Sequence, residues 1–392
     1  MDSGYQESVM PGRLKKLTVA ASGFIALDIV FGREEPENPH LFAGGTAGNV
    51  LAGLAYLGWQ SIPLARLRPD SAGEYVRADL SRWGVNTSFI AIEPIAATPI
   101  VIEKIFAGQN GIPKHRFLWN CPDCNGYLPP YRALLASSVP QIIDKVSVPA
   151  VFYTDRVSRS TLSLAKYFKD GGALVFFEPS GVGDQKHFRE MLKLCDVLKY
   201  SNQRAKTFSD LLLRHHASIE IETLSEEGAR FRLPYTSQSW TKVSAYEVDV
   251  KDTAGAGDWT TVGIISNFCA EGGASLHRVT KKRMTDALEY GQALAALNCQ
   301  FEGPRGAMYR LTPEKFSLAV KEIRSKQATF CMTDEGSSLV RHSGIREVCP
   351  TCTIERKRGE GTNERAAQHH RTKKHEERLQ SQSFQRRVHS KT

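Results

Sequence analysis

Two hydrophobic patterns alternate along most of the chain. Short apolar segments rich in β-branched residues are typical of strands, and apolar positions recurring every three or four residues are typical of helices. Strands are predicted at Leu17–Ile29, Ser61–Leu67, Ser88–Ile92, Ala150–Tyr153, Ala173–Glu178 and Val197–Tyr200, and helices at Val50–Leu57, Ser71–Trp83 and Ser160–Phe168, with another helix ending near Cys195. This alternation predicts an α/β fold, a mainly parallel central sheet covered by helices on both faces.

Two further strand patterns, Thr98–Phe106 and His115–Trp119, belong to no strand–helix pair. A small β lid is their simplest place in the fold, with lid strands expected at about 32–48 and 98–120. The apolar periodicity fades from Glu335 onward. We therefore expect one globular domain over residues 1–335 and a C-terminal extension over residues 336–392.

Composition indicates a soluble protein. The chain has 392 residues, of which 41% are hydrophobic, enough for a large core. No segment approaches the roughly 18–20 consecutive apolar residues of a membrane helix. Residues Met1–Lys16 are polar, unlike a signal peptide. We expect a cytoplasmic protein with no membrane partner.

The net charge of +9 lies mostly in the C-terminal tail, because Thr353–Thr392 holds 11 Lys and Arg against 5 Asp and Glu. Only this tail is basic enough for contact with nucleic acid. Its Lys and Arg are interleaved with Glu and Gln, and it has almost no aliphatic residues. Such composition is typical of a flexible, solvated chain end.

The sharpest chemical signal is the loop Asp252-Thr253-Ala254-Gly255-Ala256-Gly257-Asp258, ahead of a helical pattern over Trp259–Phe268. Small residues let successive backbone N–H groups point at one anion at a helix N-terminus. The charge on a transferring phosphoryl group is such an anion. The carboxylate of Asp258 could accept the proton of an attacking hydroxyl. The plainer alternative is a tight turn in which Asp258 caps the helix.

A second motif makes the first one specific. Asp252–Asp258 resembles the DTxGAGD signature of the ribokinase-like (PfkB) family, and Gly44–Asn49 resembles its N-terminal GGxxxN signature, in the family's order. Gly23–Asp28 resembles the family's first strand, and Arg68–Gly73 its GxDxxG turn. The resemblance covers roughly Leu17–Thr312. It implies a ribokinase-like three-layer α/β/α fold and an ATP- and Mg²⁺-dependent kinase acting on a hydroxyl of a small sugar or nucleoside.

Carried over residue by residue, the resemblance makes Asp258 the catalytic base and the backbone of Ala254–Gly257 the anion hole. The residues implied for catalysis are Asp258, Gly255, Ala256 and Gly257, and those for substrate hydroxyls are Asp28, Gly44, Gly45 and Asn49. A carboxylate accepts from two hydroxyls, and an amide both donates and accepts, so Asp and Asn suit this task. The residues implied for the nucleotide are Asn202, Thr223, Ser225, Gly228, Asp252, Thr253 and Asn298.

Two departures from the family pattern bear on catalysis. Ser225 replaces a glycine in the turn beside ATP, and Ala205 stands where a glutamate helps to organise Mg²⁺. Phosphoryl transfer needs a metal to neutralise phosphate oxygens, and our hypothesis is that Glu178 supplies the missing carboxylate.

The departures also allow a second interpretation, a catalytically weakened regulatory protein whose tail contacts nucleic acid or an acidic partner. The retained Asp258 favours catalysis. The sequence does not choose among sugars and nucleosides, although the lack of a phosphate-clamping Arg/Lys cluster near Asp28 favours an unphosphorylated substrate. A homodimer could form through an exposed lid strand.

The eight cysteines include two pairs with the spacing of zinc knuckles, Cys121-Pro122-Asp123-Cys124 and Cys349-Pro350-Thr351-Cys352. Two knuckles together make one Cys₄ site for a structural Zn²⁺. A competing arrangement joins Cys349 and Cys352 to His375 and to either His369 or His370 in the tail. The third alternative is two surface turns with free thiols, and the sequence leaves all three open. The single cysteines are typical of small buried residues.

Overall fold

The computed structural model describes residues 17–33, 38–108, 113–212, 215, 217–325 and 344–354. These residues divide into two units, of which the smaller consists of residues 119–128 and 344–354. Residues 355–392 of the basic tail, with His369, His370 and His375, lie outside the described residues, as does Cys331, and the expectations for nucleic acid and for a Cys₂His₂ site fall on these residues. None of the helices in the described part of the chain combines the length and apolarity needed to cross a membrane.

The larger unit contains every named strand and α-helix. The strands are β1 (Thr18–Ala21), β2 (Ala26–Phe31), β3 (His40–Gly44), β4 (Gln60–Pro63), β5 (Ala65–Leu67), β6 (Ile90–Ile92), β7 (Ile100–Ala107), β8 (Pro113–Leu118), β9 (Val151–Thr154), β10 (Leu174–Phe177), β11 (Val197–Ser201), β12 (Ile219–Thr223), β13 (Ala229–Leu233) and β14 (Ser237–Val243). The helices are α1 (Thr46–Tyr56), α2 (Ser71–Arg82), α3 (Val139–Lys145), α4 (Arg159–Asp170), α5 (Gln185–Leu194), α6 (Asn202–Leu212), α7 (Ala256–Phe268), α8 (Lys281–Cys299), α9 (Gly306–Arg310) and α10 (Pro313–Ser325).

An eight-stranded sheet forms the centre, in the order β14-β13-β12-β11-β10-β9-β1-β4. The strands from β12 to β4 are parallel, and β13 and β14 are antiparallel at one edge. Every residue of β9 and β10 is buried, as expected for strands covered on both faces. The predicted mainly parallel sheet is confirmed.

Helices cover this sheet in two groups. On one face, Phe152 and Phe177 pack with Phe168 of α4 and Phe188 of α5 in a single apolar cluster. In the other group, α1 lies against β1 and β4 and packs on α7, which runs along α8. Glycines allow α7 and α8 to approach closely, since a Cβ on Gly263 would lie 2.3 Å from the Cα of Gly291.

The lid is a four-stranded sheet in the order β3-β2-β7-β8. The single strand predicted over Leu17–Ile29 is two strands, because β1 ends in the central sheet and β2 begins in the lid. Between them Gly23 passes so close to Asp155 that a Cβ would lie 1.9 Å from Asp155 Oδ1. The lid therefore carries Asp28. The strand predicted over Ser61–Leu67 divides in the same way, and β5 pairs with β6 in a separate two-stranded sheet.

Candidate active site

Several predicted site residues follow neighbouring parallel strands at the same end. Glu178 follows β10, Asn202 follows β11, and Thr223 closes β12. The strand register pairs Thr154 with Phe177 and Ser201 with Thr223. Ligands of open α/β sheets bind outside the carboxyl ends of the strands, so this edge is where a site is expected.

The loop ahead of α7 brings Asp258 to this site. Gly255 has φ 72°, and a Cβ there would lie 2.2 Å from the carbonyl oxygen of Pro304, so the turn requires glycine. Asp258 lies in the first turn of α7, where Asn49 Nδ2 donates to its Oδ2 at 2.7 Å. This hydrogen bond joins the two sequence signatures, whose residues are 209 positions apart.

The surroundings of Asp258 favour its protonated form. Burial raises its pKa to about 8, the charge of Glu178 acts in the same direction, and the hydrogen bond from Asn49 and the charge of Lys199 oppose the rise. A general base is most effective when its pKa lies near the working pH. Asp258 keeps part of its surface exposed, so that a reacting hydroxyl can reach it.

Asp28 and the glycine pair before α1 form the side of the site that contacts the lid. The backbone N–H of Gly45 donates to Asp28 Oδ2 at 3.2 Å, and a Cβ on Gly44 would lie 1.8 Å from that oxygen. Burial raises the pKa of Asp28 to about 7, while the hydrogen bond from the backbone of Gly45 and the charge of Arg305 lower it. Among the described atoms, the buried Oδ1 of Asn49 has no hydrogen-bond partner. Buried polar atoms usually have a hydrogen-bond partner, so this acceptor is an exception at the predicted substrate side of the site.

The site also contains Lys199, which the sequence analysis missed. Its Nζ pairs with Glu178 Oε1 and donates to the carbonyl oxygen of Gly257 at 3.1 Å. The nearest atoms to a Cβ on Gly257 would be Lys199 Nζ at 3.8 Å and Glu178 Oε1 at 3.9 Å, so space remains beside the loop. First-turn N–H groups of a helix lack intrahelical partners and bind anions.

Glu178 has partners on both of its oxygens. Besides Lys199 on Oε1, its Oε2 accepts from Thr261 Oγ1 at 2.5 Å and from Tyr153 OH at 3.2 Å. These contacts hold the carboxylate in place under the loop. A direct magnesium contact by Glu178 stays a prediction.

Asp252 and Asn298 support the loop from within the protein. Asp252 Oδ1 accepts from Ala254 N at 3.0 Å, and its Oδ2 accepts from Gly303 N at 2.9 Å. The fully buried Asn298 donates to the carbonyls of Gly303 and Pro304, each at 3.2 Å, and its Oδ1 accepts from the backbone N–H of Ala307 at 3.3 Å. The structure thus gives these two predicted nucleotide residues a supporting position, whereas Thr253 is exposed.

The predicted nucleotide turn between β12 and β13 keeps its backbone shape without the family's glycine. Ser225 has φ 56°, in the left-handed region that glycine favours, and Gly228 has φ 97°. The register pairs Ser201 with Thr223, and Asn202 follows Ser201; the buried Oδ1 of Asn202 has no partner among the described atoms. A free amide oxygen is a ligand that Mg²⁺ accepts, so this residue fits the metal.

Two lid residues that no motif marked also reach the loop. His115 Nδ1 on β8 lies 3.7 Å from Glu103 Oε1 on β7 and 3.6 Å from Asp252 Oδ1. Burial raises the pKa of Glu103 to about 9, and the charges of Asp252 and Asp28 act in the same direction. The lid therefore adds a buried acid to an acidic site.

Two curated relatives are similar to this chain. "Probable fructokinase-6, chloroplastic" of Arabidopsis thaliana is 23% identical over 286 residues, 66% of this chain and 70% of the relative. The ATP-dependent ribose-1-phosphate kinase of Halopiger xanaduensis is 25% identical over 273 residues, 67% of this chain and 82% of the relative.

Two solved structures show the same fold. The fructokinase of Xylella fastidiosa with bound ATP has a TM-score of 0.59 and 18% identity, covering 79% of this chain and 99% of the other. The aminoimidazole riboside kinase of Salmonella enterica, complexed with aminoimidazole riboside and an ATP analogue, has a TM-score of 0.56 and 19% identity, covering 77% of this chain and 99% of the other. The fold is ribokinase-like, as the sequence predicted.

The family comparison covers most of the larger unit. Residues 32–309 match the family described as pfkB family carbohydrate kinase, which is more than half of the chain. The match includes both the Gly44–Asn49 and the Asp252–Asp258 signatures. This chain is a kinase and belongs to the pfkB family of carbohydrate kinases.

Proposed function

We propose that this kinase transfers the γ-phosphoryl group of ATP to a hydroxyl of a small sugar or nucleoside, with Asp258 as the base. The observation that carries the proposal is the hydrogen bond from Asn49 to Asp258. It places a residue suited to a substrate hydroxyl beside a carboxylate whose pKa is raised to about 8. The carboxylate stands at the start of a helix, where an anion is favoured.

Residues of this chain bind the substrate, take its proton and bind the transferred group. Asp28 and Asn49 Oδ1 hold hydroxyls of the substrate, and Asp258 takes the proton of the attacking hydroxyl. The new oxygen–phosphorus bond forms as the bond to the leaving ADP breaks. The N–H groups of Gly255–Gly257 bind the oxygens of the transferred group. Mg²⁺ would neutralise charge on the phosphates, and Asn202 would contribute an oxygen to hold it.

The acidic surroundings of Asp28 favour an unphosphorylated sugar or nucleoside. Among the described residues, the positive charge that lowers the pKa of Asp28 is that of Arg305, which is fully buried and paired with Asp79 at 3.0 Å. Its guanidinium also donates to the carbonyl oxygen of Ala43. Its Nε and Nη1 have no partner among the described atoms, but because Arg305 is fully buried we expect it not to reach a substrate phosphate. The named activities of the relatives include a fructokinase and an aminoimidazole riboside kinase, which agree with this, and a ribose-1-phosphate kinase, whose named substrate carries a phosphate and does not.

ADP release from ATP-Mg²⁺ across a panel of pentoses, hexoses, sugar acids and nucleosides tests this function. We expect turnover on at least one member, and a loss of about 10²–10⁴-fold in kcat for Asp258→Asn. Asp170→Asn, on the exposed surface of α4, is the matched control and should keep full activity. Undiminished turnover in Asp258→Asn would refute the base. If the wild type binds ATP but releases no ADP with any member of the panel, the regulatory alternative is favoured.

We also propose that two lids associate through the edge strand β8. Phe106 on β7 and Phe117 on β8 are 44% and 45% exposed, which leaves apolar surface at a sheet edge. Light scattering should give a dimer mass for the wild type and a monomer mass for Phe117→Asp. A monomeric wild type at micromolar concentration would contradict this association.

A further inference from the structure

The four cysteines of the two CPxC pairs converge in the smaller unit. Cys121 Sγ lies 3.8 Å from Cys352 Sγ, and Cys124 Sγ lies 3.7 Å from Cys349 Sγ. All four sulfur atoms lie within 4.8 Å of one another. Sulfurs at about 2.3 Å from a tetrahedral Zn²⁺ are about 3.8 Å apart, so these separations fit the edges of such a site. They exceed the ~2.05 Å of a disulfide by far.

The backbone holds the first pair in a tight turn. Asn125 N donates to the carbonyl oxygen of Cys121 at 2.8 Å, and Cys121 N donates to that of Gly126 at 2.9 Å. The N–H of Gly126 donates to Cys124 Sγ at 3.4 Å. Such a bond favours the thiolate, which is the form that binds metal.

The second pair lies at the start of a helical turn over residues 350–354. Cys349 N donates to the carbonyl oxygen of Ile345 at 2.8 Å, and Thr353 Oγ1 donates to that of Cys349 at 2.8 Å. Cys349 is fully buried and Cys352 is 8% exposed. Both pairs are therefore fixed by local hydrogen bonds with their sulfurs directed to one point.

The smaller unit has little else to hold it together. Its buried apolar residues, apart from the cysteines, are Leu128 and Ile345, too few for a stable core. The pair between Arg346 and Asp123, at 2.9 Å, is exposed, and exposed ion pairs stabilise a fold only weakly. The cysteine pairs are 225 or more positions apart in sequence, so a cross-link between them removes much chain entropy. Small units of this kind commonly depend on a structural metal.

We propose that Cys121, Cys124, Cys349 and Cys352 bind one structural Zn²⁺ that fastens residues 344–354 to residues 119–128. Four protein thiolates fill a tetrahedral coordination sphere, which leaves no open position for a substrate or a reactive water. The site is thus structural. It uses both knuckles, in contrast to the alternative that pairs Cys349 and Cys352 with histidines of the tail.

Metal analysis of the full-length protein, purified under reducing conditions, tests the site directly. We expect about one zinc per chain, as for a single Cys₄ site. Cys121→Ser and Cys352→Ser should each lose most of the metal. Cys195→Ala, at a buried cysteine outside the unit, and His375→Asn should keep it. Zinc retained in Cys121→Ser but lost in His375→Asn would establish the tail site and overturn the proposal.

Two measurements on the wild-type protein test the site without variants, which could misfold. Replacing the metal with Co²⁺ should give the visible absorption of a tetrahedral thiolate site, and a chelator should remove it. On chelation, hydrogen exchange should increase in both segments of the smaller unit and remain unchanged in β9 and β10. Three results would overturn the proposal. They are metal-free protein in which Cys121, Cys124, Cys349 and Cys352 can all be alkylated, disulfides between the two pairs, and iron bound in place of zinc.

Discussion

The buried acid of the lid allows a sharp test of the site's electrostatics. Glu103 is 3% exposed, and its Oε1 has no hydrogen-bond partner among the described atoms. Glutamine has the same shape and no ionisable proton. Glu103→Gln therefore removes the acid with little change in packing, and we expect the variant to be more stable than the wild type at alkaline pH.

The magnitude follows from the two states of the carboxyl group. Its ordinary pKa is 4.5, and burial raises the pKa of Glu103 to about 9 in the folded protein. The folded state therefore holds a proton that the unfolded state releases, so stability is lost as pH rises through this interval. Each pH unit within it costs about 1.4 kcal/mol. Glutamine avoids this cost, which amounts to at most about 5 kcal/mol at pH 8 and less than about 1 kcal/mol at pH 5.

Urea denaturation at pH 5 and pH 8 measures the effect, because the transition midpoint shifts with stability while the slope is unchanged. The gain of Glu103→Gln should be several times larger at pH 8. Glu247→Gln is the control, since Glu247 is exposed and its replacement should have the same small effect at both values. A gain of equal size at both pH values, or a loss at pH 8, would mean that Glu103 is ionised in the folded protein.

Three further predictions concern the reaction and the nucleotide turn. In the wild type, kcat/KM should rise with pH up to about 8, because Asp258 must lose its proton to act as a base. A value of kcat/KM that stays constant from pH 6 to 9 would contradict this. Glu178→Gln should raise the Mg²⁺ concentration for half-maximal rate and lower stability by about 3–5 kcal/mol, since it leaves Lys199 buried without a charged partner; an unchanged Mg²⁺ requirement would remove the ligand role. Ser225→Gly should raise stability by about 1 kcal/mol by relieving a left-handed conformation, and a lower unfolding midpoint would refute this.

The parts of the site that the sequence predicted are those fixed by local backbone chemistry. Gly255, in the loop before Asp258, and the pair Gly44-Gly45 need to be glycine because a Cβ would collide with neighbouring atoms. Positions that accept only glycine can be recognised in a sequence because they form short motifs. The break between β1 and β2 was missed for the opposite reason. The apolar pattern continues from Val19 to Ile29 across the turn, and only the approach of Asp155 to Gly23 marks the change of sheet.

Lys199, Glu103 and His115 could not be identified because each lies within an ordinary strand pattern, and its partners come from distant parts of the chain. Their arrangement connects stability with catalysis. Burial disfavours the charged forms of Asp28, Glu103 and Asp258, so the folded protein loses stability as these three groups ionise. The same burial makes Asp258 a stronger base than an exposed aspartate, and Lys199 limits the rise by stabilising its charge. Removing the positive charge of Lys199 should therefore shift the pH range over which kcat/KM rises to higher pH.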